Sequence, residues 1–317
     1  MKRILAIVLA LAMVFVLAAC GESTTMTMGT GGTAGTYYGY GGILGNQIKT
    51  SSGITVNVVS TDGSKANILG IEAGNYQLGT VQSDVMAYAY EGSRSFEKEG
   101  KIDSFRVIGG LYAEAVQLIT MDPAIKSVAD LAGKKVSIGA AGSGVYFNAI
   151  DILGAADLKE SDIQPQYQSF ADSADALKDG KIDAAFIVAG APTPAIQELC
   201  TTAKAYLVPI DGAVAETLMK NSPYYTTYKI PAGTYDGQAE DVTTVTVKAT
   251  LIVSTSASED DVYNITKSIF DNIDTITSAH AKGAELSIEN ATSGMTAPFH
   301  AGAAKYYAEK GFTVETK

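Results

Sequence analysis

Two glycine-rich turns carry the residues of this sequence that could do chemistry. The first turn spans residues 28–38, and the second spans residues 139–144. Each turn follows a strand-like run and precedes a helical pattern, so each would expose backbone N–H groups at the N-terminus of a helix. Such a turn suits a phosphate or a carboxylate. Two turns in the same context indicate an anion site more strongly than either turn alone.

The last residues of each turn are the predicted ligand donors. Their backbone N–H groups would face the anion, and these residues are Thr33, Ala34, Gly35, Ser143, Gly144 and Val145. Tyr37 opens the helix after the first turn and could hydrogen-bond a ligand oxygen or cover an aliphatic stem. The alternatives are purely structural turns and a core position for Tyr37.

Apolar runs of strand length alternate with helical patterns along the chain, which favours an α/β fold with largely parallel sheets. The predicted strands are Ile54–Ser60, Gln77–Gln82, Phe105–Leu111, Val116–Met121, Lys135–Gly139, Ala184–Val188 and Val242–Ser254. The predicted helices are Tyr37–Lys49, Lys65–Ala73, Val145–Leu153, Ser173–Lys178, Ala195–Cys200, Glu259–Ala279 and Ala301–Lys310. A unit of glycine turn, helix, strand, helix and strand occurs twice, which predicts two lobes that face each other across a cleft.

Further candidates stand near the ends of predicted strands, where side chains of an α/β fold enter the cleft. They are Ser60, Asn67, Gln82, Asp84, Ala189 and Gly190, and Tyr112 and Glu114 join them at the predicted crossing between the lobes. The ammonium group of an amino-acid ligand needs an anion, which Asp84 or Glu114 could supply. A helix N-cap is the alternative role for Asp84.

The start of the chain has the pattern of a bacterial lipoprotein signal. Two basic residues precede a short apolar run, and small residues lead from it to Cys20. We therefore predict a signal peptide over residues 1–19, a lipid on Cys20 and a lipidated tether over residues 20–28. The protein would then be extracytoplasmic and anchored to the cell membrane by its lipid, in a periplasm or on the outer face of the cell.

The composition argues against several classes of function. The chain has 317 residues and a formal net charge of −11, and this acidic balance disfavours a nucleic-acid surface. The two histidines are far apart, and no cysteine and histidine cluster has the spacing of metal ligands. No Gly-x-Ser-x-Gly nucleophile motif occurs. We therefore predict a protein that is not an enzyme and that needs neither metal nor cofactor.

Seven segments, in this order, resemble the TAXI-type solute receptors of tripartite ATP-independent periplasmic (TRAP) transporters. They are Gly29–Tyr38, Leu78–Asp84, Leu111–Glu114, Gly142–Gly144, Ala176–Phe186, Ile230–Tyr235 and Pro298–Ala303. The sequence departs from the family pattern at Ala113, Val145, Phe299 and Ala301. These departures bear on the identity of the ligand more than on the fold.

The resemblance implies a two-lobed periplasmic-binding-protein fold, type II-like, with its cleft between the lobes. Residues 29–113 would form lobe 1 and residues 114–244 lobe 2. Residues 245–317 would supply a return strand and C-terminal helices, mainly to lobe 1. The implied ligand is a small carboxylate-bearing metabolite, either a glutamate-like amino acid or a 2-oxo or dicarboxylic acid. The monomeric receptor would deliver this solute to the TRAP permease subunits in the membrane.

Arginine is scarce in this chain. Beyond the predicted signal peptide only Arg94 and Arg106 occur, and neither belongs to predicted lobe 2. The better-known dicarboxylate branch of these receptors clamps the ligand carboxylate with an arginine from the second lobe. Because a bidentate fork requires arginine, the backbone N–H groups of the glycine turns are the expected substitute here.

Two other functions remain open from the sequence. A binding protein of the same fold could sense its ligand for a membrane receptor kinase. A dinucleotide-binding oxidoreductase is the second alternative, because Gly29, Gly31 and Ala34 form a loose Rossmann fingerprint. That motif expects an acidic residue about 20 residues on, whereas Asp62 stands about 30 residues on.

Overall fold

The computed structural model describes residues 24–317. The predicted signal peptide, the lipidation site Cys20 and the first part of the predicted tether lie outside the described residues. Within residues 24–317, no helix is both long enough and apolar enough to cross a membrane.

The strands of residues 24–317 form one mixed sheet. Their bounds are β1 Thr25–Gly29, β2 Thr55–Val59, β3 Leu78–Gln82, β4 Phe105–Thr120, β5 Lys135–Ser137, β6 Gln164–Gln166, β7 Ala184–Ala189, β8 Tyr206–Val208, β9 Thr226–Ile230 and β10 Val242–Ser254. The spatial order is β2-β1-β3-β10-β4-β7-β5-β6, and β8 pairs with β4 while β9 pairs with β10.

Helices cover the sheet. Their bounds are α1 Thr36–Ser52, α2 Ser64–Glu72, α3 Ser83–Glu91, α4 Gly144–Ala155, α5 Phe170–Lys178, α6 Pro194–Thr202, α7 Gly212–Asn221, α8 Glu259–Phe270, α9 Ile273–Ala279, α10 Ile288–Thr292 and α11 Ala301–Glu309. Serine side chains begin α5, α8 and α10, where each hydroxyl accepts a hydrogen bond from a backbone N–H of the first turn.

Two long strands join the halves of the molecule. β4 has 16 residues and β10 has 13, and they pair antiparallel from Phe105 opposite Ser254 to Ala115 opposite Thr246. The first part of β4 lies in the sheet with β10 and β3, whereas its last part pairs with β7 and β8. The same two strands therefore belong to both halves and form the hinge between them.

The apolar core is divided at this hinge. One cluster contains residues 26–112 and 249–307, including Met28, Leu44 and Leu251. Two other clusters are drawn from residues 115–247, including Val136 and Phe186. We call the first part lobe 1 and the second part lobe 2. The predicted α/β fold with two lobes and a cleft between them is confirmed.

The structure corrects the predicted tether. Residues 25–28, which we predicted to belong to it, lie in β1. This strand pairs in parallel with both β2 and β3. Met26 and Met28 alternate with polar residues and are buried, which is the pattern of a strand that covers a core.

Two predicted element boundaries are also wrong. The strands predicted at Phe105–Leu111 and Val116–Met121 are one strand, because Glu114 in the middle is buried as part of β4 instead of interrupting it. The helix predicted at Glu259–Ala279 is two helices, α8 and α9. The Asp271 carboxylate at this break accepts a hydrogen bond from the Tyr306 hydroxyl at 2.8 Å.

Candidate functional site

A cavity of about 370 Å³ lies between the lobes. Four helices present their N-termini to its wall: α1 and α2 from lobe 1, and α4 and α5 from lobe 2. Glu114 on the hinge strand β4 and Gln82 at the end of β3 also line it. The cavity is therefore built from both lobes and from the hinge.

The helix N-termini give the cavity its backbone donors. The first turn of a helix has N–H groups without intrahelical acceptors. In the described part of the chain, no side-chain cap satisfies them at Gly35, Gly63 or Ser143, the residues that precede α1, α2 and α4. Of the four helices at the cavity, α5 alone has such a cap in the described residues, where the Ser169 hydroxyl accepts a hydrogen bond from the N–H of Asp172 at 3.2 Å. Free N–H groups and aligned helix dipoles at one cavity favour an anion there.

Glycine is required at one position of the second turn and allows a close contact at another. Gly139 has a φ of 86°, and a Cβ there would lie 2.6 Å from the Cβ of Val145. A Cβ on Gly144 would lie 1.7 Å from Oε1 of Gln82, across the lobe interface. The Ser143 hydroxyl donates to the Ala140 carbonyl at 2.7 Å, so it holds the turn. The start of α4 is therefore in close contact with the Gln82 side chain of lobe 1.

Hydrogen bonds between the lobes close the cavity. On one side, the N–H of Ala66 donates to the Gly142 carbonyl at 3.3 Å. On the other side, the Thr36 hydroxyl donates to the Gly190 carbonyl at 2.8 Å, and the N–H of Ala195 donates to the Ala34 carbonyl at 3.1 Å. The structure is therefore a closed form, with the two lobes in contact around the cavity.

Glu114 is the buried carboxyl group of the cavity wall, with 2% of its surface exposed. The Tyr37 hydroxyl donates a hydrogen bond to its Oε2 at 2.6 Å. The pKa of Glu114 is raised from 4.5 to about 8, mainly because the group is buried and in smaller part because the Asp84 carboxyl is near, whereas the Tyr37 hydrogen bond and the Lys282 ammonium oppose the increase. Glu114 is thus poised to be neutral alone and ionised beside a cation.

Two amide side chains at the cavity have unused acceptors. The Oε1 atoms of Gln82 and Gln168 are buried, and neither has a hydrogen-bond partner among the described residues. An acceptor without a donor in a buried place is costly, on the order of 1–3 kcal/mol. Both amides can therefore gain from a polar solute in the cavity.

The cavity wall formed by residues 24–317 includes no lysine or arginine side chain. Arg94 pairs with Asp151 instead, and Arg106 donates to the carbonyls of Asp103 and Phe105. The expectation that no arginine clamps a ligand carboxylate is consistent with these positions. Positive potential in the cavity comes from backbone N–H groups.

Most of the predicted site residues lie on this wall. They are Thr33, Ala34, Gly35, Tyr37, Ser60, Gln82, Glu114, Ser143, Gly144, Val145 and Ala189. Their contact with a ligand stays a prediction. Four predicted residues do not line the cavity: Asn67, Asp84, Tyr112 and Gly190.

Three of these four have structural roles. The buried Asn67 amide donates to the carbonyls of Thr30 at 2.6 Å and Thr80 at 2.8 Å, and so ties α2 to the sheet. Tyr112 is buried edge-on against Tyr40, with ring centroids 5.0 Å apart. The Gly190 carbonyl accepts the hydrogen bond from the Thr36 hydroxyl that joins the two lobes.

Asp84 was the other candidate partner for a ligand ammonium, and it is not on the cavity wall. Its Oδ2 accepts a hydrogen bond from the Asn148 amide at 2.8 Å, across the lobe interface. The carboxyl group therefore faces lobe 2 instead of the cavity. It is not the N-cap of α3 either, because Gln82 occupies that position.

The starts of α2 and α5 are parts of the site that the sequence analysis missed, and at α2 the lining residues Thr61, Gly63 and Ser64 were not predicted. Gln168, Ser169, Phe170 and Ala171 line the cavity, and the Phe170 ring would lie 3.3 Å from a Cβ on Gly35. We predicted this helix to begin three residues later, at Ser173. A serine followed three residues later by an aspartate is an N-cap signal, and it could have placed the start of α5 correctly.

The shifted pKa of Glu114 predicts a dependence of stability on pH. A carboxyl group with a folded-state pKa of about 8 and an ordinary value of 4.5 binds a proton in the folded state that the unfolded state releases. As the pH rises from the lower to the higher of these values, the free energy of unfolding of the wild type should fall by up to about 1.4 kcal/mol per pH unit relative to that of Glu114→Gln. Above the higher value the difference should level off.

Chemical denaturation of both proteins across this pH range measures the difference. Glu72→Gln, at an exposed position on α2, is the matched control and should follow the wild type. Parallel curves for the wild type and Glu114→Gln would contradict the buried, neutral state of Glu114.

Solved structures with a similar fold include bacterial binding proteins. The alkanesulfonate-binding protein SsuA from Xanthomonas axonopodis pv. citri, bound to MOPS, has a TM-score of 0.52 at 15% identity, over 92% of this chain and 95% of that chain. A protein described as a "Putative L-Cystine ABC transporter" from Listeria monocytogenes has a TM-score of 0.53 at 20% identity, over 83% of this chain and 98% of that chain. At these identities the likeness shows the fold, which is that of two-lobed periplasmic binding proteins.

The family is shown by the sequence itself. A profile of the NMT1-like family matches residues 28–311, which is nearly the whole described part of the chain. This chain belongs to the NMT1-like family.

Proposed function

We propose that this chain is an extracytoplasmic solute receptor that closes its lobes on a small carboxylate-bearing solute. The convergence of helix N-termini from both lobes on one cavity carries the proposal. A carboxylate there accepts hydrogen bonds from N–H groups of α1 and α4 together, so binding and closure stabilise each other. The volume of about 370 Å³ is at the small end of the range for ligand sites, which suits a metabolite.

The preferred solute is an α-amino acid, because the wall also supplies a counter-charge for an ammonium group. Glu114 is a buried carboxyl group held in place by the Tyr37 hydroxyl. A cationic ammonium group beside it would favour its ionised form. A 2-oxo acid is the second candidate, because neutral Glu114 could donate a hydrogen bond to a keto oxygen. Both solutes carry the carboxylate that the helix N-termini require.

The names of the similar structures support this chemistry. One names an alkanesulfonate, which is an organic anion, and the other names L-cystine, which is an amino acid. Delivery to a TRAP permease is the finer part of the proposal, and it rests on the seven segments that resemble TAXI receptors. A lipid on Cys20 would hold the receptor at the membrane beside that permease. The proposed role is transport, with no reaction catalysed.

Closure of the lobes can be tested at Gly144. In Gly144→Ala, the new Cβ would meet Oε1 of Gln82 in the closed form, so the lobes should close less readily. We expect affinity for the solute to fall by about tenfold or more, which is about 1.4 kcal/mol, with little change in fold. Gly154→Ala is the matched control on the same helix, because nothing lies within 4 Å of a Cβ there. Calorimetric titration with L-glutamate measures both variants, and equal affinities would contradict closure at this contact.

The role of Glu114 can be tested with a pair of solutes that differ at one group. L-Glutamate has an ammonium group where 2-oxoglutarate has a keto oxygen. If Glu114 pairs with the ammonium group, Glu114→Gln should weaken L-glutamate binding by about 10- to 100-fold, as expected for a lost charge-assisted hydrogen bond. The affinity for 2-oxoglutarate should change much less.

Glu72→Gln again serves as the control and should leave both affinities unchanged. Equal losses for the two solutes in Glu114→Gln would contradict the ammonium pairing. Failure of both to bind the wild type, together with binding of an unrelated solute, would overturn the amino-acid assignment.

A further inference from the structure

A buried polar bridge crosses the lobe interface beside the cavity. Asp84 on α3 of lobe 1 and Asn148 on α4 of lobe 2 are both fully buried. The Asn148 amide nitrogen donates one hydrogen bond to Oδ2 of Asp84 at 2.8 Å and a second to the Tyr225 hydroxyl at 2.7 Å. Both of its N–H groups are therefore used.

One acceptor on each side of this bridge is left without a donor. Oδ1 of Asp84 and Oδ1 of Asn148 are buried and have no hydrogen-bond partner among the described residues. The two orphaned oxygens belong to side chains that already share one hydrogen bond. In an acid–amide pair, a carboxyl group accepts from the amide N–H with one oxygen and donates to the amide carbonyl with its protonated oxygen. A single proton on Asp84 supplies the donor that this pair lacks.

We propose that closure of the lobes takes up a proton at Asp84, so that the closed form is held by a neutral acid–amide pair between Asp84 and Asn148. This inference deepens the proposed function, since it assigns a pH control to the same cleft. In the open form, α3 and α4 separate and water reaches both side chains. The carboxyl group then ionises as an ordinary aspartate does.

The carboxyl groups around Asp84 disfavour its ionised form. The Asp151 carboxyl on α4 faces it and disfavours its ionised form, although the Arg94 guanidinium pairs with Asp151 and reduces that effect. The Glu114 carboxyl on β4 and the Asp84 carboxyl repel each other when both are ionised. Three tyrosines also lie near Asp84, and as phenols they are neutral: Tyr88 on α3, and Tyr224 and Tyr225 before β9.

Lysines on the elements packed against α3 are engaged elsewhere. Lys248 on β10 donates to the carbonyls of Asn290 and Ser293, and Lys65 on α2 pairs with Glu99. Burial is the main cause that raises the pKa of Asp84, from 3.8 to about 7, and the dipoles of nearby backbone N–H groups and the hydrogen bond from Asn148 oppose the increase. The nearby cations Arg94, Lys65 and Lys248 are thus each engaged with other groups instead of with Asp84.

The sign of the pH effect follows from linkage. Between the ordinary pKa of 3.8 and the closed-form value of about 7, the closed form holds a proton that the open form has lost. Each unit by which the pH falls within this window favours closure by about tenfold, and above it the effect ends. The receptor therefore closes more readily in a mildly acidic medium.

The experiment compares the pKa of Asp84 in a protein locked in the closed form with its pKa in a protein whose lobes are free to open, both without ligand. Ala66 and Gly142 face each other across the cleft, and a Cβ on Gly142 would lie 3.6 Å from the Cβ of Ala66. This separation fits a disulfide, for which the usual range is about 3.5–4.5 Å. We would oxidise Ala66→Cys/Gly142→Cys in a Cys200→Ser background to lock the closed form, and reduce it to release the lobes.

Carbon-13 NMR of aspartate carboxyl groups then follows Asp84 as the pH is changed, and Asp84→Asn identifies its signal. We expect a titration midpoint near 7 in the locked protein and a value closer to 3.8 in the reduced protein. Small-angle scattering of Glu114→Gln, in which the other buried carboxyl group cannot titrate, should show a smaller radius of gyration at about pH 5 than at about pH 9, whereas Asp84→Asn/Glu114→Gln should not change between them.

Equal midpoints in the locked and reduced proteins would overturn the proposal, as would a scattering profile of Glu114→Gln that is independent of pH. Neither readout uses a solute. A failure of L-glutamate to bind would therefore count against the proposed function and leave this inference standing.

Discussion

The antiparallel pairing of β4 with β10 runs through both lobes, and every feature of the cavity depends on it. Strands of this length span the molecule, so one ladder of backbone hydrogen bonds belongs to both halves of the core. Helices packed on either side of the ladder start at the cleft. Glu114 stands in β4 opposite Val247 of β10, and this places its carboxyl group at the floor of the cavity between the lobes.

This arrangement lets the cavity attract an anion without a basic side chain. Helix N-termini from both lobes supply fixed N–H donors, which lose no side-chain entropy when they bind. By contrast, the protein disfavours negative charge on its own carboxyl groups here, because both Glu114 and Asp84 are buried and have raised pKa values. Ionisation of either group is favoured only by a partner or by solvent. In the proposed mechanism, solute binding, lobe closure and protonation are therefore parts of a single equilibrium.

The sequence predicts the fold and the two glycine turns that line the cavity, but it does not predict which polar side chains face the cavity. Glycine turns between a strand and a helix have a strong local signature, so the starts of α1 and α4 are recognised from the residues alone. Asp84 and Asn67 also stand near strand ends, yet both are buried in contacts with distant residues, Asn148 and Thr30. Such partners are fixed by packing that no local pattern encodes. The helix α3 was also missed, and most of its residues are buried in the core.

The central claim is that the cleft encloses a small carboxylate-bearing solute. Native mass spectrometry of the purified protein, before and after mild denaturation, tests it most directly. The account predicts that the native protein retains a small amino acid or 2-oxo acid, which is released when the protein unfolds. A retained nucleotide would contradict the claim and would favour the dinucleotide-binding interpretation of the first glycine turn. An empty protein whose melting temperature is unchanged by amino acids and dicarboxylates would contradict it as well.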